Sequence, residues 1–207
     1  MARLFDNTLS QYLEVNAAPV TVHPVTLACW FRSDDIAALQ VLMSIGNLGG
    51  TARWQIVAGG TTVGDPVRAQ SFQSNGANST SDSLTGYSAN TWYHAAGVFA
   101  LANSRIAYLN GIAGTEQTTS RTVAGLTGAT IGVRYAVGAR GDYMSGHIAH
   151  AAIWNVALTP VEIAALAGGV LPRHIRPMDL IAYWPFNDVY QTLAFSRYGS
   201  GERQYKL

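Results

Sequence analysis

The stretch from Thr91 to Gly111, TWYHAAGVFALANSRIAYLNG, constrains the fold of this chain more than any other. Trp92, His94, Ala96 and Val98 alternate with Tyr93, Ala95, Gly97 and Phe99; further on, Ile106, Tyr108 and Asn110 alternate with Ala107 and Leu109. A period of two carried by aromatic and aliphatic residues marks half-buried β-strands. Leu101 to Ser104 supplies a turn between the runs, and Asn110-Gly111 is the pair that best tolerates positive φ in a tight hairpin. Two turns then join three strands into a meander, which needs a second sheet over its apolar face. The expected fold is all-β: two antiparallel sheets packed as a sandwich.

The rest of the chain supplies the second sheet. Arg3 to Phe5 and Tyr12 to Val15 read as short strands flanking a turn at Asp6-Asn7. Val25 to Arg32 is apolar on both faces, with Leu27, Cys29 and Phe31 opposing Ala28 and Trp30, as in a central strand. Leu39 to Ile45 and Ala52 to Ala58 flank a glycine-rich loop, with Trp54, Ile56 and Ala58 on one face. Val67 to Phe72 reads as a strand, and the polar segment Gln73 to Ser83 as a surface loop. Ala129 to Arg134 is a strand, Tyr135 to Tyr143 a loop rich in Gly, Arg and Tyr, and Gly146 to Asn155 another strand. One short helix is predicted over Leu158 to Gly169: Thr159 caps it, Pro160 opens it, Glu162 completes a capping box and Gly168-Gly169 ends it. So short a helix is expected to plug one end of the sandwich. Leu180 to Phe186 is the last strand, with Pro185 placing it at an edge or a strand end. The domain is expected to span residues 1–188, and residues 189–207 to form an arm that meets a partner through Tyr198, Arg203 and Tyr205.

Composition narrows the classes of function. Charged residues make up 12% of the 207, net charge is +1, and the 13 basic side chains include a single lysine, Lys206. No polybasic field exists to hold nucleic acid or an anionic membrane. A lysine-poor surface of low charge suits a subunit that meets other protein subunits, because contact surfaces favour Arg and aromatics over Lys. Cys29 is the lone cysteine, so no intrachain disulfide forms, and its apolar surroundings make it a packing residue. MARLFDNTLS lacks the pattern of a secretory signal, so the expectation is a chain made in the cytoplasm and not exported by a cleaved leader.

Four segments together resemble the laminin G-like, concanavalin A-like jelly-roll sandwiches. They are Leu4-Phe5-Asp6-Asn7 with Tyr12-Leu13-Glu14-Val15, similar to an opening hairpin; Thr26 to Phe31; the Trp92 to Gly111 meander; and Gly146-His147-Ile148 through Trp154-Asn155 to Glu162-Ile163. The resemblance runs from Leu4 to about Asp188 and implies the two-sheet jelly roll. Some family members bind calcium through loop carboxylates, but this chain departs from the acidic pattern: Ala149-His150 stands after the "G-x-I" segment, and Ser10-Gln11 before Tyr12. A hard cation needs several oxygen ligands, usually two or more of them carboxylates. Asp34, Asp35, Asp82 and Asp142 are the loop candidates, and without a D-x-D cluster calcium is an option that is not favoured; no other cofactor is expected.

The same sandwich hosts glucanases, which need two carboxylates ~5–9 Å apart across a cleft. No E-x-D-x-x-E match exists among Glu14, Glu116, Glu162 and Glu202, so no enzyme is expected. His147 and His150 are three apart, which on a regular strand places them on opposite faces and rules out joint chelation. Two readings follow. In the first the chain is a non-catalytic assembly module, by resemblance a bacteriophage virion protein (capsid decoration, fibre or tail-associated subunit), acting as a homo-oligomer or on a capsid or tail scaffold. In the second it is a carbohydrate-binding module for cell-surface glycans, with Arg134, Tyr135, Arg140, Asp142 and Tyr143 offering planar polar and aromatic groups, and Trp54 as a weaker candidate.

Overall fold

Alternation around Thr91 produces the strands it predicts. The computed structural model describes residues 2–136 and 138–186, and the backbone of 195–196 and 205–206. The strands are β1 (Arg3–Phe5), β2 (Tyr12–Val15), β3 (Val25–Ser33), β4 (Leu39–Gly46), β5 (Arg53–Gly59), β6 (Pro66–Phe72), β7 (Asn78–Gly86), β8 (Tyr93–Leu101), β9 (Ser104–Leu109) and β10 (Ile112–Ala113). They continue with β11 (Gly128–Ile131), β12 (Arg134–Ala136), β13 (Ala139–Gly141), β14 (Gly146–Trp154), β15 (Leu180–Trp184), β16 (Phe195–Ser196) and β17 (Tyr205–Lys206). The helix α1 covers Pro160–Ala167. The first sheet runs β10-β9-β8-β3-β14-β15-β16, with β1 also paired to β14; the second runs β17-β2-β11-β4-β5-β6-β7. All pairings between these strands are antiparallel, and β12-β13 forms a separate hairpin.

Parity decides what each face of the first sheet touches. Ala95, Phe99, Ala107 and Leu109 point between the sheets and join Leu27, Phe31, Met43, Trp54 and Ile131 in the main core. Their neighbours Ala96, Val98 and Tyr108 point outward, where they meet Leu158, Ile163 and Leu166. The helix therefore covers the outer face of the first sheet and does not plug an end of the sandwich. The reason is that strands apolar on both faces need a cover on both. The predicted cap is present: Thr159 Oγ1 accepts from the Glu162 N–H at 3.3 Å, and Glu162 Oε2 accepts from the Thr159 N–H at 2.8 Å. At the β9–β10 turn, Asn110 and Gly111 both have positive φ, and a Cβ on Gly111 would stand 3.0 Å from the Ala164 Cα. That turn packs directly on the helix.

Three other expectations are corrected. The opening segment is not a hairpin: β1 pairs with β14 in the first sheet and β2 with β11 in the second, so the turn between them crosses the sandwich. Gln73 to Ser83 is not all loop, since Asn78–Gly86 is the edge strand of the second sheet. Its inward positions are serines, small enough for an edge and able to bond to backbone. Ser81 Oγ donates to the Thr115 carbonyl at 2.7 Å and accepts the Ala107 N–H at 2.9 Å, tying the edge to β9 of the opposite sheet. The segment Tyr135 to Tyr143 contains the β12–β13 hairpin, which packs on β4 and β5.

Candidate functional site

The hairpin brings most of the predicted ligand residues together on the outer face of the second sheet. Arg134 pairs with Asp142 at 3.2 Å, and Arg140 donates to Glu14 Oε2 through Nε at 2.8 Å. The Arg140 guanidinium also lies 5.2 Å from the Tyr12 ring centre, and Tyr12 and Tyr143 are 6.3 Å apart. Tyr135 is placed by its backbone opposite Arg140; its side chain lies outside the described residues. Register aligns Glu14, Thr130, Ser44, Gln55, Gln70 and Thr80 as one polar row across six strands. Part of the row is bonded internally: Gln55 donates to Gln70 at 2.7 Å, Arg53 donates to Gln55 at 2.8 Å, and Gln55 and Gln70 are 2% and 7% exposed. Burial, then the charge of Arg134, push the Arg53 guanidinium down to about 10, against an opposing pull from Asp142. Arg140 and Tyr143, through Glu14 and Tyr12, tie the hairpin segment to the sheet.

Trp54 does not join them. Its ring is fully buried between the sheets, 6.4 Å from Phe99, because position 54 shares the inward parity of Ile56 and Ala58. The calcium candidates stay apart. Asp34 pairs with Arg32 at 3.2 Å, Asp35 accepts the Ala37 N–H, Asp142 meets Arg134, and Asp82 lies on β7, not in a loop, paired with Arg68 at 2.8 Å. Among the described residues no group of three or more His, Cys, Asp or Glu is placed to hold a metal ion. Tyr198 and Arg203 lie outside the described residues, and the backbone of Tyr205 pairs with Leu13 in β17.

The open site is on the other sheet. A cleft of ≈ 450 Å³ lies on the outer face of the first sheet beside the helix, with Trp30, Trp92, His94 and His150 in its wall. Ala28 and Ala149 line it too, and Leu166 with Gly169 to Pro172 closes its far side. Small alanines on β3 and β14 leave depth that larger side chains would fill. Trp30 meets the His94 ring edge-on at 5.6 Å, and Trp92, 41% exposed, stands 6.3 Å from His147. His94 is 2% exposed and burial pushes it down to about 4, so the imidazole is neutral at pH 7. Its Nδ1 is buried without a hydrogen-bond partner, a state that costs ~1–3 kcal/mol until a ligand or water relieves it.

His150 reaches this cleft because β14 is irregular. The register slips between Ala149 and Ala152, where the neighbour along that edge changes from β1 to β15, and His150 takes φ 50°. The bulge reverses parity, so the expectation from regular spacing fails: Ala152 and Trp154 share the outward face with His150, while Ile148, Ala151 and Ile153 face the core. His150 Nδ1 shares a 2.7 Å hydrogen bond with the Tyr183 hydroxyl and the two rings stack. Burial first, then the chain's N-terminus and Arg173, lowers the His150 pKa. Sequence reasoning missed this site. The signal present was the outward parity of Trp92 with His94; what was lacking was the long-range placement of β14 and of the segment after the helix.

Comparisons with known proteins bear on the fold. A laminin G-type family model, described as the concanavalin A-like lectin/glucanases superfamily, matches residues 6–164. No curated protein sequence matches the chain. Among solved structures, a heptameric SAP-like pentraxin from Limulus polyphemus superposes with a TM-score of 0.65 at 14% identity, over 82% of each chain. The CBM40 of a Ruminococcus gnavus IT-sialidase, bound to α2,3-sialyllactose, gives 0.60 at 16% identity, covering 72% of this chain and 84% of its own. Domain 4 of AbnA, a GH43 extracellular arabinanase from Geobacillus stearothermophilus, in complex with arabinotriose, gives 0.65 at 15% identity over 80% and 76%. With most of its length inside that match, the chain belongs to the laminin G-type family of the concanavalin A-like lectin/glucanases superfamily.

Proposed function

We propose that the chain is a non-catalytic glycan-binding module whose contact site is the helix-side cleft. The observation that carries this reading is the convergence of two indoles and two imidazoles on one concave wall. Pockets of this kind, apolar and aromatic with a few placed polar groups, bind small molecules at volumes of ~300–1,000 Å³. Relatives of the same fold named for sialyllactose and arabinotriose support a glycan as the ligand class. The described glutamates are engaged elsewhere: Glu14 with Arg140, Glu116 with Ser104, and Glu162 with the helix cap and Arg176. The experiment is a glycan array probed with the wild-type chain and a Trp92→Ala variant. Binding that the variant loses supports the reading, and array signals that ignore Trp92 count against the cleft.

A second reading, assembly into a multi-copy structure, draws on the low-charge, lysine-poor composition and on the likeness to a heptameric pentraxin. Its most specific form is a virion subunit whose C-terminal residues bind a neighbour. Light scattering on the full chain beside a version ending at Asp188 tests it: a defined oligomer that needs the tail supports assembly, and a monomer in both forms removes its basis.

A further inference from the structure

We propose that the cleft takes a neutral sugar residue, its apolar face stacked on Trp92 and its hydroxyls bonded to His94 and His150, without calcium and with discrimination against sialylated or sulfated glycans. This rests on the glycan-binding reading and narrows its ligand class.

The wall contains no Asp, Glu, Lys or Arg; its side-chain polar groups are the two imidazoles and the indole N–H groups. Burial is the largest cause lowering the pKa of each imidazole. A neutral imidazole offers one N–H donor and one acceptor nitrogen, which matches a hydroxyl, itself donor and acceptor. A carboxylate or sulfate offers acceptors alone, so it would leave the acceptor nitrogen unmet and find no charged side chain in the wall to replace its water. His94 lines the cleft, and its Nδ1 is buried and unpartnered.

Two further features point the same way. The last turn of α1, through Leu166, stands at the rim, and the negative end of a helix disfavours an anion. Trp92 is the most accessible ring of the wall, and the electron-rich face of an indole attracts the C–H bonds on the apolar side of a pyranose. The positive groups nearby are the N-terminus and Arg173, both felt by His150; Arg173 Nε already donates to His174 Nε2 at 3.0 Å. Tyr183 occupies the Nδ1 side of His150, which leaves Nε2 for a ligand.

The test is titration calorimetry on the full chain at pH 7.5, in EDTA and again with added calcium, using a panel of neutral disaccharides, each beside its sialylated or sulfated counterpart. Expected is binding of at least one neutral member, about tenfold weaker for its acidic counterpart and about tenfold weaker for Trp92→Ala, with Trp92→Phe regaining most of the affinity. Thermal melts of both variants confirm that they fold, since position 92 lies outside the cores. Acidic glycans that bind as tightly as neutral ones, with Trp92→Ala weakening both, overturn the neutral preference and leave the glycan-binding reading standing. Binding that needs calcium and ignores Trp92 overturns the inference and removes the cleft as the site. No binding across the panel or on the array overturns the reading and the inference together.

Discussion

At the scale of single residues, the environment of His94 ties the cleft to acid stability. An imidazole shifted from 6.5 to about 4 by burial binds its proton less readily in the folded chain than in the unfolded one. Between those pH values the unfolded state therefore takes up more protons, and stability falls as pH falls. The contribution is fully present above pH 6.5, is lost progressively down to about 4, and amounts to roughly 3 kcal/mol. His23 and His150, also lowered chiefly by burial, act in the same direction. Urea unfolding followed from pH 7 to pH 4 is expected to show a steadily falling midpoint, with a shallower fall in a folded His94→Gln variant. An unchanged slope in that variant would show that His94 titrates normally. Trp92→Ala should leave the melting temperature within about a degree or two of wild type while reducing ligand affinity, because the ring is exposed and truncation opens no core cavity.

At the scale of elements, hydroxyls and caps hold what apolar burial cannot. Ser81 satisfies two backbone groups at once, the Ala107 N–H and the Thr115 carbonyl, across the gap between the sheets. Ser81→Ala orphans both and is expected to destabilise by ~2–3 kcal/mol, read from urea midpoints; a loss below half a kcal/mol would mean that water replaces the hydroxyl. Thr159→Ala removes the hydroxyl from the capping box and should cost ~1 kcal/mol. The helix end was legible in sequence because its capping chemistry is local, with Thr159, Pro160 and Glu162 within four positions. The serine strand was not legible, because Ser79, Ser81 and Ser83 carry no apolar alternation and become a strand only against β6. The bulge at His150 was equally hidden, since no glycine or proline marks it and it arises where β1 and β15 share one edge of β14.

At the scale of the whole molecule, the two outer faces have been given different roles. A hairpin, two ion pairs and a buried Gln55–Gln70 pair cover the second sheet. The helix only partly covers the first sheet and leaves the cleft beside it. A glycan module needs only this open face, whereas an assembly subunit needs a further surface that meets its copies. Light scattering at micromolar concentration is expected to give the mass of one chain if the cleft is the working surface. A discrete oligomer would shift the weight toward assembly without altering the cleft.

Sequence alone determined the strands of the meander, the inward parity of Trp54 with Ile56, the both-face burial of β3 and the capped helix, because period and capping act over a few residues. It also determined the low charge and the lack of the family's acidic pairs at positions 149–150 and 10–11. Tertiary structure decided which residues meet. Arg134, Arg140, Asp142 and Tyr143 read as a ligand loop in sequence; tertiary structure pairs Arg140 with Glu14, Arg134 with Asp142, and sets Tyr143 beside Tyr12. His94, His150, Trp30 and Trp92 come from three strands and the approach to one of them, and a bulge turns one of the four outward. Such a site depends on register between distant strands, which no local pattern encodes.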